Sequence, residues 1–336
     1  MRPSAAEVPL SNVFRVGFDR RDIPKVLVAW ESVLRSERWS EGPFTEQFEA
    51  SWKKLHGGLQ SVAASSWSGA ALAALNYIDV WGETVLCPSN TFMATPLAVA
   101  QAGGKVRFVD CNKNDLCVSY EDFVRKAKES KPKAAWVVHI GGHIAFEIEK
   151  IAAYCRENDI RLLEDCAHAH GADWNGKKPG SWGDAGIYSF YATKTVSTGE
   201  GGMLVTRDAA LADYARKFRN YGKPDYAIEG LNFRINEFTA ALGAIQTERM
   251  PEIIAWKQAY AREVLDPKFQ NRVLFPEGMT SGYYKYIVFE ETQPSTGKVY
   301  DTPCHKQMNR SDPLPNTDWV AANHWCVPIY YQGDRE

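Results

Sequence analysis

The chain has 336 residues, is 45% hydrophobic and carries a formal net charge of −2. That length suits one large domain with a smaller lobe, and the near-neutral balance without a basic stripe counts against nucleic acid as a partner. No apolar run reaches the length of a membrane span, and Met1-Arg2-Pro3-Ser4 opens no signal-peptide core, so the expectation is a cytoplasmic protein with no membrane contact.

From about residue 60 to residue 250, short apolar runs alternate with helical patterns. The Ala-rich stretch 68–77 predicts a helix and 84–88 a strand. A helix over 95–102 and a strand over 105–110 follow, then a helix over 121–129. The run 135–139 predicts a buried strand, 146–158 a helix and 161–165 another strand. Two further strands are expected over 185–190 and 203–206. Short apolar strands joined by helices predict an α/β fold, with a largely parallel sheet covered on both faces. Beyond residue 250 the pattern changes to a helix over 253–265, a β-run over 284–289 and turn-rich segments such as 311–315. The expected division is an N-terminal segment 1–40 packing with a small lobe, a large domain 41–250 and the small C-terminal lobe 251–336. Seven scattered cysteines without a Cys-x-x-Cys predict reduced thiols and no disulfide framework.

Three motifs carry the chemistry. Asp165 closes one apolar run, in Glu164-Asp165-Cys166-Ala167-His168. Lys194 follows another, in Ser189-Phe190-Tyr191-Ala192-Thr193-Lys194. Gly199-Glu200-Gly201-Gly202 comes next. A lysine amine condenses with an aldehyde and can carry protons once displaced. A buried carboxylate keeps a pyridine nitrogen protonated, and a phosphate seeks N–H groups, hydroxyls and a helix N-terminus. The ordered set suggests a pyridoxal phosphate site. A rival reading takes Cys166, His168 and His170 as metal ligands, on one face of a continuing strand, with His139 or His143 completing a tetrahedron. It leaves Lys194 and the glycine turn unexplained.

These motifs, with Glu41-Gly42-Pro43, Ser68-Gly69-Ala70-Ala71-Leu72, Pro88-Ser89-Asn90-Thr91-Phe92 and Asn232-Phe233-Arg234-Ile235-Asn236-Glu237, resemble the DegT/DnrJ/EryC1/StrS sugar aminotransferases of pyridoxal phosphate fold type I. The resemblance runs from about residue 42 to residue 248. It implies that Lys194 is the Schiff-base lysine and proton shuttle, and that Asp165 pairs with the pyridine nitrogen. Phe92 would stack on the ring. Ser68, Gly69 and Ala70 would open a phosphate-binding helix, with Ser189 adding a hydroxyl. Asn232 would reach the phosphate of the partner subunit. Ala70 stands where the family often has Thr, and His168 where it usually has Gln near the phenolic oxygen. The implied activity is transfer of an amino group from L-glutamate to a nucleotide-linked keto-sugar, in a homodimer with shared active sites. A dehydratase branch carries His in place of the lysine, so Lys194 favours transamination. A cyclitol aminotransferase and a non-catalytic regulatory protein of the same fold are the alternatives. Family members usually continue into a final helix, so the resemblance also implies a small lobe cut short after Pro328-Ile329-Tyr330.

Overall fold

The computed structural model describes residues 17–331 and Gly333. Most of the expected N-terminal segment's first half, residues 1–16, therefore lies outside the described residues, as do 332 and 334–336. Two helices lead in, α1 (Ile23–Ser36) and α2 (Pro43–Leu55), each with a proline in its first turn, where the missing N–H costs nothing. The sheet region then follows: β1 (Gln60–Ala64), α3 (Trp67–Ile78), β2 (Thr84–Pro88), α4 (Ala94–Gln101), β3 (Lys105–Val109), α5 (Tyr120–Ser130), β4 (Ala134–Val138), α6 (Ile148–Glu157), β5 (Arg161–Asp165), the short β6 (Asp173–Trp174), β7 (Ala185–Ser189) and β8 (Gly202–Thr206). After α7 (Ala209–Phe218) and α8 (Glu237–Tyr260) come β9 (Met279–Thr280), β10 (Tyr286–Val288), α9 (Cys304–Gln307), α10 (Pro315–Ala322) and β11 (Trp325–Val327).

Seven strands form one sheet in the order β1-β8-β7-β5-β4-β2-β3. Neighbours from β7 to β3 pair in parallel, and β8 runs antiparallel to both β7 and β1. The central strands β4, β7 and β8 are buried along their whole length, as sheets covered on both faces require. One core cluster lies on each face: Phe48, Trp52, Tyr188 and Phe190 on one, and Leu75, Phe108, Trp136 and Leu204 on the other. This is the α/β architecture that the sequence predicts, a largely parallel sheet covered on both faces. The order reverses direction between β2 and β4, and a crevice outside the carboxyl ends of strands at such a point is the usual place for a ligand in such sheets.

The strands predicted from residue 84 to residue 289 fall within a residue or two of observed ones, whereas β1 was not predicted, and the helix expected over 253–265 is the second half of α8, which starts at Glu237. It runs through Pro251 and ends in a single wide turn over Ala261–Leu265. Helices α1 and α2 both pack along α8. Asp22 binds Arg249 through two charged hydrogen bonds of 2.8 and 2.7 Å, while Asp19 accepts from Tyr331 near the end of the chain at 2.8 Å. All seven cysteines are buried free thiols. No helix among the described residues is long and apolar enough to cross a membrane.

Candidate active site

Asp165 ends β5 and Ser189 ends β7, so the parallel register brings the two motifs side by side. Lys194 follows in a turn, its N–H bonded to the Tyr191 carbonyl at 2.8 Å. Asp165, His168, Ser189, Lys194, Phe92 and Ser68 all line one cavity of about 880 Å³. Residues separated by up to 126 positions in the chain, Ser68 and Lys194, are thus gathered at one end of the sheet.

The Asp165 carboxylate is buried and held by three donors. Oδ1 accepts from the Trp67 indole N–H at 3.1 Å and the Ala167 N–H at 3.0 Å; Oδ2 accepts from the Thr95 hydroxyl at 2.9 Å. Burial pushes its value above the usual carboxylate range, and the Ala167 and Thr95 bonds and the Lys194 charge pull it back. Lys194 shows the opposite effect. Burial lowers its amine to about 8, with Asp165 opposing, and its Nζ lies 4.7 Å from the centre of the Tyr284 ring. An amine so placed is largely free at mildly alkaline pH and ready as a nucleophile or base.

His168 lies between two tyrosines, stacked on Tyr284 at 4.2 Å and on Tyr300 at 5.9 Å between ring centres. Its Nε2 is 3.5 Å from the Tyr300 hydroxyl. Its Nδ1 is buried without a partner among the described residues. Burial and the Lys194 and Lys285 charges hold the ring well below the usual histidine range. Tyr284, Tyr300, Thr95 and Trp67 escaped the sequence reading. Only Trp67 carried a signal, a bulky indole in a run of small residues opening a helix.

The cap of α3 lies two residues before Ser68, where the helix was expected to open. Ser66 caps α3, and its Oγ accepts the Gly69 N–H at 3.2 Å. The Ala70 N–H is used by the Ser66 carbonyl at 3.3 Å. Gly69 is also covered: a Cβ there would meet the Phe233 ring at 2.6 Å. Gly69 and Ala70 therefore do not line the cavity, whereas Ser66, Trp67 and Ser68 do. Among the described residues no acceptor is seen for the N–H groups of Trp67 and Ser68, the open donors a helix start offers an anion. The glycine turn serves this cradle by close packing. A Cβ at Gly202 would lie 2.3 Å from the Ser66 carbonyl oxygen, so β8 passes the start of α3 only with glycine there. Phe92 is 65% exposed. Asn232 is exposed, pairs across a bridge with Asn220, and does not line this chain's own cavity.

The metal reading fails on local geometry. β5 ends at Asp165, and the turn closed by the Ala169 N–H on the Cys166 carbonyl at 2.9 Å sends the histidines apart. His168 faces the cavity, whereas His170 packs against Trp52, Tyr188 and Phe190. The candidate ligand trio the structure does assemble is His139, Glu164 and Cys166. There the His139 Nδ1 accepts the Ala145 N–H, so Nε2 carries the proton and donates to Glu164 at 2.9 Å. Glu164 also accepts from Gly180, Trp182 and Gly183, each at 2.7 Å. Both groups are already satisfied.

The cavity fits pyridoxal phosphate. It offers an amine, a carboxylate with acceptor capacity left on Oδ2, an orphaned imidazole nitrogen and a helix start with open N–H groups. Comparison with known proteins agrees. The model of the DegT/DnrJ/EryC1/StrS aminotransferase family matches residues 23–288. A GDP-perosamine synthase of Vibrio cholerae is 32% identical over 66% of this chain and 62% of that protein, so the chain matches about three fifths of that relative's length. A pleiotropic regulatory protein of Geobacillus stearothermophilus is 32% identical over 91% of this chain and 90% of its own. Among solved structures, the aminotransferase TlmJ from Streptoalloteichus hindustanus is 26% identical, with a TM-score of 0.83 over 96% of this chain and 94% of that one.

Proposed function

Because the chain belongs to the DegT/DnrJ/EryC1/StrS aminotransferase family, we propose that it moves an amino group from L-glutamate onto a nucleotide-linked keto-sugar with pyridoxal phosphate as cofactor. The observation that carries this is the meeting of Lys194 and Asp165 in one cavity, with the amine near 8. The name of the Vibrio cholerae relative supports a sugar nucleotide as substrate. The exposed Asn232, outside its own cavity, supports a homodimer in which it serves the partner's site.

Bound pyridoxal phosphate supplies an aldehyde for the amines and an electron sink for the donor's Cα. Asp165 would hold the ring nitrogen protonated through Oδ2. The His168 Nδ1 would meet the phenolic oxygen. The N–H groups of Trp67 and Ser68, with the Ser68 and Ser189 hydroxyls, would hold the phosphate. Lys194 Nζ would take the Cα proton of the donor and hand a proton back, as base and then acid. For the sugar it would move protons in the opposite sense, so one group could serve as base and acid in a ping-pong cycle. Small-lobe tyrosines 284 and 300 wall the cavity and limit water.

The test is spectroscopic. Protein loaded with pyridoxal phosphate should lose its visible band on addition of L-glutamate, and one nucleotide keto-sugar from a panel should restore it. The Geobacillus stearothermophilus relative favours a second reading, a regulatory protein on the same fold. A band that no amino donor bleaches would support that reading and sink transamination.

A further inference from the structure

Trp67 has no role in the family motifs, yet it makes the one indole contact to the site's anionic anchor. It is the first residue of α3, immediately after the Ser66 cap, and is only 7% exposed. Its ring packs on Trp136 of β4, with centres 5.5 Å apart and planes at 37°. Its Nε1 donates to Asp165 Oδ1 at 3.1 Å. The indole N–H is a donor only, so this contact can serve the carboxylate and cannot serve a protonated acid's O–H.

We propose that Trp67 is a positioning residue for the cofactor: its N–H holds Asp165 anionic by Oδ1 and leaves Oδ2 as the oxygen for the ring nitrogen. The proposal rests on the pyridoxal phosphate reading above. The arithmetic of acceptor sites supports it. A carboxylate accepts about four hydrogen bonds, two on each oxygen. Trp67 and Ala167 occupy Oδ1, whereas Oδ2 has only Thr95. The donor is also set by rigid parts, since the helix cap fixes its backbone and Trp136 fixes its ring. The same turn carries the open N–H groups of Trp67 and Ser68. One segment would therefore place both the phosphate cradle and the carboxylate beneath one rigid ligand, a distance that chemistry tolerates poorly if it drifts.

The charged and titratable groups facing Asp165 are Lys194 beyond β7, His139 beyond β4, Cys166 beyond β5 and Tyr300 from the small lobe. Burial alone favours the protonated acid. Of these neighbours Lys194 and His139 oppose burial through their charge, and the Lys194 amine gives up that charge whenever it acts as nucleophile or base. The neutral Trp67 donor persists through every step, which is why it suits this task.

The experiment is a titration of Asp165 by carboxyl ¹³C NMR on the full chain, without cofactor, with the signal assigned by its loss in Asp165→Asn. Trp67→Phe removes the N–H and keeps an aromatic ring. Replacing Trp67 by the benzothiophene analogue of tryptophan keeps the fused-ring shape and removes only the N–H, so it carries the test if Trp67→Phe does not fold. Losing one hydrogen bond to a buried anion should raise the midpoint by about one pH unit or more, and weaken pyridoxal phosphate binding roughly tenfold. A midpoint unchanged in the analogue overturns the inference, as does a shift confined to Trp67→Phe, which would trace to ring volume. These results are separate from glutamate bleaching: a wild-type protein that never bleaches fails the earlier reading, whatever the midpoint does.

Discussion

The last two residues of β5 are both buried carboxylates, and they do different things. Glu164 and Asp165 are adjacent, so the strand turns them to opposite faces of the sheet. Glu164 is 0% exposed and Asp165 5%, so burial does not separate them. Glu164 accepts four hydrogen bonds, from His139, Gly180, Trp182 and Gly183. Its capacity is full, and its work is to tie β4 and the 180–183 loop to β5. Asp165 accepts three and lines the cavity. A site carboxylate is recognised here by the acceptor position it has left, and a structural one by having none.

Two substitutions would break that comparison if it is wrong. Asp165→Asn keeps the shape and removes the anion, so transamination should fall roughly a thousandfold or more, with a melting temperature lowered by only a few degrees. Glu164→Gln places an NH2 group against backbone donors. It should cost about 3 kcal/mol of stability or more and lower the melting temperature markedly, while turnover per folded, loaded molecule stays within a few-fold. Denaturation curves beside single-turnover rates decide the matter. Comparable loss of turnover in folded Glu164→Gln would mean that the second carboxylate also belongs to the chemistry.

A smaller effect sharpens the same point at His168. From the sequence, an imidazole in place of glutamine puts a titratable side chain at this position. The Tyr284–Tyr300 sandwich, burial and two nearby lysines keep it neutral by holding the ring well below the usual range. The loaded wild-type and His168→Gln proteins should therefore differ in the position of the visible band at every pH, with parallel titrations from neutral pH upwards. Absorbance titration of both checks this. A neutral-range transition present in the wild type and absent from His168→Gln would show that His168 does ionise there.

The sheet was legible because its strands are short apolar runs bounded by turns, and a parallel strand buried on both faces has little freedom to look otherwise. Asp165 and Ser189 were legible because they end such strands, and Lys194 because it follows one. What stayed hidden depends on contacts distant in sequence. Thr95 reaches Asp165 across 70 positions and Trp67 across 98, and Tyr300 meets His168 across 132. The start of α3 was read two residues late because a cap is chosen by which side chain turns back on the helix. Ser65, Ser66 and Ser68 all offered a hydroxyl, and Ser66 makes the bond. The persistence of α8 through Pro251 was equally invisible, since a proline ordinarily marks a break in a helical pattern.

The central claim is that Lys194 is the amine that takes the cofactor. Its value near 8 gives that claim a signature. Below 8 the amine is protonated and inert, and above 8 it is free, so the rate of visible-band formation on adding pyridoxal phosphate to the cofactor-free chain should climb with pH through about 8 and then level off. Borohydride reduction followed by peptide mass mapping locates the bond formed. The account predicts a single reduced adduct on Lys194, and none in Lys194→Ala. A stoichiometric adduct on the neighbouring Lys257 or Lys285 instead, or a rate indifferent to pH across that range, would contradict it.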